Sequence, residues 1–337
     1  MKKIIKTSVV VTIILSILIS YSFFGPLVQP PKNNYLYIPT GADFSTVEKI
    51  IQEQSICSKN IFSVYSTLLQ YRQNIKPGKY RIENNSSVFT LLRKLKSGRQ
   101  EEVRCTITKL RTKEDLAKWI SDKMEPDYEE AFRFLNSNDS LLLFGVDTNT
   151  VMTLIIPNTY LFWWNGSMNK IMGRLKKQQD YFWDRRKQQL AAQQLNQIQV
   201  YTIASIVEEE TNRKSDKPKI ASVYINRIRK GMKLEADPTV KYALRDFGLK
   251  RIYLKHLTYP SPYNTYYTKG LPPGPICTPS IESIDAVLEA PSTDYLFFVA
   301  KPDFNGYSNF SSNYAQHMIY AKQYQAALDK LTKNNAH

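Results

Sequence analysis

Hydrophobic positions set the chain's organisation. An uncharged run dense in Val, Ile and Leu extends from Thr7 to Phe24. Its eighteen residues would rise about 27 Å as a helix, close to the thickness of a bilayer's hydrocarbon core. Beyond it the pattern breaks into short elements. Tyr35–Pro39 reads as a strand, Ser45–Gln54 and Ile61–Tyr71 as helices, and Lys79–Glu83 as a strand after the Pro77-Gly78 turn. Ser87 caps a helix over Val88–Lys96 that stops at Gly98, Val103–Lys109 alternates as a strand, and Thr112 caps Lys113–Lys123. From Pro126 onward helical spacing dominates: Tyr128–Leu135, a long Gln/Lys-rich helix over Lys170–Gln199, a helix ending in three glutamates, and Lys217–Arg229, which Gly231 ends. A proline-rich stretch follows, then a short helix Ser283–Leu288, a continuously apolar strand Tyr295–Ala300 and a closing helix Ser312–Thr332.

The glutamate-rich segment is the most informative. With Ile203 at zero on a helical wheel, Ile206 falls near about −60°, Val207 near about +40° and Glu210 near about −20°. Glu208 and Glu209 fall on the opposite, wet side, near about 140° and about 240°. Glu210 alone of the three points toward a core or cleft, where loss of water raises a carboxyl's pKa toward that of a general acid. The bland alternative is a charged helix end at the surface, with Thr211 and Asn212 leading into a loop.

Composition sharpens the picture. The 337 residues suit about two domains plus an appendage, and 42% hydrophobic with 12% aromatic content supports a packed core. The net charge of +16 suggests an anionic partner: nucleic acid, a membrane surface or an anionic polymer. Nucleic acid is the weakest of these, because the basic residues are scattered and no zinc-finger or RNP pattern occurs. Lys2, Lys3 and Lys6 precede the apolar run and no acidic residue does, which places the N-terminus in the cytoplasm and the rest of the chain outside it. Ser20-Tyr21-Ser22 is a poor cleavage site, so an uncleaved anchor is favoured over a signal peptide. Cys57, Cys105 and Cys277 are too widely spaced for a metal pair, and their odd number leaves disulfide formation open. The three histidines stand without clustered carboxylates, so neither a metal site nor a cofactor is expected.

Four stretches then occur in order: ASIVEEET (Ala204–Thr211), VYINRIRKGMKLEADPTVKYAL (Val223–Leu244), YNTYYTKGLPPGPICTPS (Tyr263–Ser280) and YLFFVA (Tyr295–Ala300). Together they resemble the successive motifs of the endolytic murein transglycosylases, the MltG or YceG-like family. The resemblance covers the chain beyond the apolar run and is strongest over residues 200–300. It implies an α+β fold: a transmembrane anchor (1–24), a stalk (25–34), a small LysM-like α/β module (35–110) and a mixed α+β catalytic domain (111–337). It also implies endolytic cleavage of the β-1,4 bond between N-acetylmuramic acid and N-acetylglucosamine in nascent strands, leaving 1,6-anhydro ends and limiting strand length. The family's catalytic glutamate maps to Glu210. Peptidoglycan strands, the bilayer and peptidoglycan synthases are the implied partners, at the inner (cytoplasmic) membrane.

Around Glu210 several residues are candidates for substrate binding. Asp237 is a second carboxylate or, in the commoner use of an Asp-Pro-Thr pattern, the N-cap of a helix Pro238–Leu244. Tyr263, Asn264, Thr265 and Tyr266 offer rings and hydrogen-bonding groups suited to sugars, or packing pieces. Asn226 and Arg227 lie off the apolar stripe of their helix and line either a cleft or ordinary surface. Two positions depart from the family pattern: Asn158 where an aspartate is usual, and Ser308 where a histidine is frequent. Two rival readings stay open, an inverting muramidase using Glu210 with Asp237 and a non-catalytic glycan-binding or synthase-scaffolding protein.

Overall fold

The computed structural model describes residues 2–334. Helices dominate and every sheet has two strands. The chain divides into two compact units: one holds the chain up to Cys105 with Ile120–Asp127 and Leu161–Ser167, the other Thr106–Trp119, Tyr128–Tyr160 and the chain from Met168 onward.

The first unit begins with α1 (Lys2–Phe24), of which Ile4–Phe24 is long and apolar enough to cross a membrane. Strand β1 (Tyr35–Ile38), helices α2 (Phe44–Glu53) and α3 (Lys59–Leu68), strand β2 (Gly78–Arg81) and helix α4 (Val88–Ser97) follow. Strands β1 and β2 pair antiparallel with Leu36 opposite Tyr80. The alternation sends Leu36, Ile38 and Tyr80 into a core shared with Val47, Ile51, Phe62, Leu92 and Leu95. The cap expected at Ser87 forms and Asp43 adds an unexpected one, each accepting the backbone N–H three residues on, and Gly98 ends α4 in the left-handed conformation. Within residues 25–34, expected as a stalk, Val28 joins this core while Lys32, Asn33 and Asn34 stay exposed. Val28 is fully buried, it bridges to Ser86, and the Gln29 N–H bonds the Ile56 carbonyl at 2.8 Å.

Strand β3 (Glu102–Ile107) pairs with β4 (Asn158–Trp163), and between them lie α5 (Lys113–Ser121), α6 (Tyr128–Leu135) and α7 (Asn138–Leu142). The second unit continues with α8 (Met168–Asp184), α9 (Lys187–Gln193), α10 (Gln197–Glu210), α11 (Lys217–Arg229), α12 (Asp237–Leu244), α13 (Leu254–Leu257) and α14 (Ile281–Leu288). The ribbon β5 (Phe297–Ala300) and β6 (Ser308–Ser311) precedes the closing helix α15 (Tyr314–Asn334). The single helix expected over Lys170–Gln199 is thus three pieces. It breaks after Asp184, Gln194 turns left-handed at φ 57°, and Asn196 with Gln199 forms a reciprocal capping box that starts α10 afresh. The apolar strand of YLFFVA is a half-exposed ribbon rather than a buried one.

Helix α10 is the axis of this unit. Every residue from Val200 to Val207 is buried, so it has no wet face. It is enclosed by α11, α12 and α14, and the polar atoms it takes inside are paired: Tyr201 donates to the Ile155 carbonyl at 2.5 Å, and Ser205 Oγ accepts the Ile276 N–H at 3.1 Å. The wheel's two-sided division into core and wet faces therefore fails for this helix, because neighbours cover it all round. All three cysteines are free thiols, with Cys105 and Cys277 buried.

Because Val28 belongs to the core, trimming it should cost stability that a stalk residue would not. Val28→Ala is expected to lower the first unit's stability by about 2 kcal/mol, read as a lower urea midpoint.

Candidate active site

The three glutamates at the end of α10 have three environments. Glu208, expected on the wet side, is half-buried. Its Oε2 accepts the hydroxyls of Ser280 at 2.6 Å and Ser283 at 2.5 Å, with Lys217 Nζ at 3.4 Å. Burial alone would raise its pKa, but the two hydroxyls and Lys217 lower it on balance. Glu209 is not free solubilising charge either: it pairs with Lys109 at 2.6 Å and Arg111 at 3.4 Å. These pairs tie the end of α10 to α14 and to the segment before α5.

Glu210 has no ion-pair partner among the described residues. Its Oε1 accepts one hydrogen bond, from the Tyr224 hydroxyl of α11 at 2.6 Å. Desolvation pushes its pKa up to about 7; the Tyr224 bond opposes the rise and the Asp237 carboxylate adds to it. The side chain opens onto a cavity of about 300 Å³ shared with Asp237 and Tyr266. A larger concavity of about 630 Å³ runs along α1, but it carries no acid–base group except the Tyr21 phenol.

The structure brings some of the candidate residues to this cavity and leaves others outside it. Asp237 lines it. It is not the cap of α12, as the Asp-Pro pattern suggested: Ala236 occupies that position, Asp237 is the first helical residue, and its Oδ1 accepts the Tyr266 hydroxyl at 2.8 Å. Arg227 also lines the cavity, yet it is a clamp as well. Only 6% exposed, it donates to the carbonyls of Leu296 at 2.7 Å, Lys233 at 3.1 Å and Leu234 at 3.0 Å, and to Glu235 Oε2 at 2.9 Å. Asn226 is away from the cavity, holding the carbonyls of Thr293 and Tyr295 ahead of β5.

Tyr263, Asn264 and Thr265 do not line it. Tyr263 packs on Tyr242 with centroids 4.7 Å apart, and Asn264 donates to the carbonyls of His256, Leu257 and Tyr259. The buried Thr265 hydroxyl accepts the Ala236 N–H at 3.0 Å and meets Thr239 Oγ1 at 2.8 Å. Their effect is positional: they fix the turn that carries Tyr266 against the turn that carries Asp237. Glu235, between Arg227 and Thr265, sits at φ 55°, a conformation a non-glycine residue keeps only where its surroundings over-determine it.

Sequence reasoning missed the opposite wall. Phe297 and Phe298 of β5 and Tyr314 and His317 of α15 complete the cavity. His317 stacks on Phe297 at 5.2 Å, and burial with the nearby Arg227 charge pushes its pKa down, keeping the imidazole neutral. The double phenylalanine of YLFFVA was the one available signal, and continuous apolarity made it read as core. Neither departure from the family pattern lies on this cavity. Asn158 is exposed, capping its own Thr159 N–H, and Ser308 takes part through its backbone N–H, donated to Asp216 at 2.7 Å.

The balance at Glu210 gives signed expectations. Tyr224→Phe removes a bond to the ionised form and should move the carboxyl's titration above 7, whereas Asp237→Asn removes a repelling charge and should move it down; carboxyl infrared spectroscopy against pH reads both. Because the folded-state pKa is raised, the folded protein holds the proton more tightly than the unfolded chain. Its stability should therefore fall as pH rises from about 4.5 through about 7, by up to about 3 kcal/mol. Glu210→Gln should lose less stability over that interval, seen as a smaller drop in Tm between pH 5 and pH 8.

Comparison with known proteins gives this geometry a context. The YceG-like family model matches residues 36–323. A Bacillus subtilis protein named endolytic murein transglycosylase is 27% identical over 322 residues, covering 90% of this chain and 88% of its own length. A Streptococcus pneumoniae protein of the same name is 24% identical over 295 residues, covering 78% of this chain and 53% of its own. A 2.6 Å crystal structure of a yceG-like protein from Listeria monocytogenes superposes with a TM-score of 0.54 at 27% identity, over 84% of this chain and 97% of that one. With the family model spanning the chain from β1 to the middle of α15, this protein belongs to the YceG-like family.

Proposed function

We propose that this protein is an endolytic lytic transglycosylase that cuts the MurNAc–GlcNAc β-1,4 bond of peptidoglycan glycan strands with Glu210 as its single acid and base. The observation that carries the reading is the carboxyl of Glu210, bonded by a phenol and open, beside Asp237, to an aromatic-walled cavity. It stands at the end of ASIVEEET in a chain whose relatives are named endolytic murein transglycosylases.

The chemistry follows from that one group. Protonated Glu210 donates to the glycosidic O4 as the C1–O4 bond breaks and C1 takes on oxocarbenium character. The resulting carboxylate then accepts the proton of the same muramic residue's C6 hydroxyl, whose oxygen bonds C1. The proton returns to Glu210, the product is a 1,6-anhydro end, and no water is consumed. Tyr224 steadies the carboxylate between the two transfers. Asp237 and Tyr266, joined at 2.8 Å, are proposed to bind sugar hydroxyls beside it, with Arg227 at the cavity edge. Asn226, Tyr263, Asn264 and Thr265 then act through the turns they hold rather than by touching sugar.

The same proposal takes residues 1–24 as a single-pass anchor with a cytoplasmic N-terminus, 35–110 as a LysM-like module and 111–337 as the extracytoplasmic catalytic domain at the cytoplasmic membrane. The β1–α2–α3–β2 order and the apolar α1 support it. Peptidoglycan synthases, which make the strands, are the proposed protein partners.

A second reading has support in Asp237. Its freedom from capping and its place on the Glu210 cavity suit a base that would activate water in an inverting muramidase. Mass spectrometry of purified glycan strands separates the two. Anhydro-ended fragments from the wild type and none from Glu210→Gln are expected. Reducing ends would assign the hydrolase, and intact strands would leave a binding or scaffolding protein. The transglycosylase rate should decline as pH rises through about 7, because the acid form of Glu210 is consumed.

A further inference from the structure

The last turns of α1 are held against the first unit. The Tyr65 hydroxyl of α3 lies 2.6 Å from Ser22 Oγ and 3.2 Å from the Ile19 carbonyl oxygen, and its ring is 4.2 Å from Phe23. Phe89 of α4 closes the cluster, 5.1 Å from Phe23 and 5.4 Å from Phe24. Helix α3 is therefore fixed level with residues 19–24, within about 8 Å of the end of the apolar span.

The sequence of α3 fits that position. Phe62 and Ser66 are buried in the unit's core. Val64 and Leu68, beside Tyr65 on the wheel at about −100° and about −60°, are 65% and 69% exposed. A short helix with apolar side chains on its outer flank gains nothing from them in water. Next to a membrane span, the same flank faces the boundary between headgroups and acyl chains. The exposed rings of Tyr21 and Phe24 stand at the same level, where aromatic side chains gather at bilayer surfaces.

We infer that α3 is a second membrane contact, with Val64 and Leu68 seated in the interfacial layer of the bilayer, so that the first unit is docked on the phospholipid surface. The inference rests on α1 being a membrane anchor. Continuity with that span selects lipid as the occupant of the flank. A glycan bound by this unit would then be one lying at the membrane plane.

Site-directed spin labelling of the full chain in phosphatidylethanolamine–phosphatidylglycerol vesicles tests this. In a Cys57→Ser background, with Cys105 and Cys277 left buried, nitroxides are placed singly at Val64→Cys and Leu68→Cys. Ile14→Cys in α1 and Gln188→Cys on exposed α9 serve as lipid and water references. Labels at 64 and 68 are expected to collide several-fold less with a water-soluble nickel chelate than the label at 188, and more with lipid-soluble oxygen. Equal nickel access at 64, 68 and 188, with 14 still shielded, would overturn the docking and leave the anchor standing. A water-accessible label at 14 would remove both. Shielding of 64 and 68 from both reagents would show protein rather than lipid on this flank and overturn the assignment.

Discussion

The site depends on one constraint, the enclosure of α10. A helix buried on every side from Val200 to Val207 can only end where its neighbours end, and its last residue inherits the dry environment with only the more distant Lys241 charge to offset it. Glu208 and Glu209 meet two hydroxyls, two lysines and an arginine, which stabilise their charge. Glu210 meets a phenol and a second carboxylate's field instead, and so holds its proton to about pH 7. Three identical side chains in a row thus take different chemical parts by position alone.

Helix ends and the β5–β6 ribbon supply most of the cavity around Glu210, but two loops carry Glu235 and Tyr266, and loops need something to fix them. Arg227 supplies this on one side by donating to three backbone carbonyls and Glu235. Asn264 and Thr265 supply it on the other, holding one turn together and bonding it to Ala236. The Tyr266–Asp237 bond is the visible product of both clamps. Without these clamps the Tyr266 hydroxyl and the Asp237 carboxylate would not keep a fixed place beside Glu210, which acid–base chemistry requires. The positive φ of Glu235 is the local strain that this double restraint sustains.

Much of this was legible in the residues. The short elements of the first unit follow from capping residues and alternation, both of which act over three or four positions: Ser87 at a helix start, Gly98 at a helix end. The family's ordered motifs singled out Glu210. What misled was the assumption that polarity marks solvent. Glutamines from Lys170 to Gln199 suggested one long helix, and only the competing Asn196–Gln199 box shows where it restarts. The Pro- and Asn-rich segment after α1 suggested a stalk, yet a single valine, Val28, pins it to the core.

By itself, then, the sequence determined the apolar span, the caps of α4 at Ser87 and Gly98 and the identity of the carboxyl at the end of ASIVEEET, because these depend on side chains near one another in the chain. Tertiary structure alone decided that Arg227 would clamp rather than solvate, that Asn264 and Thr265 would hold a turn rather than a sugar, and that Phe297 and His317 would close the cavity. Those roles arise between residues up to about a hundred positions apart, and no local pattern encodes which polar group will lose its water. Desolvation is a property of the packed neighbourhood, and it gives Glu210 its proton.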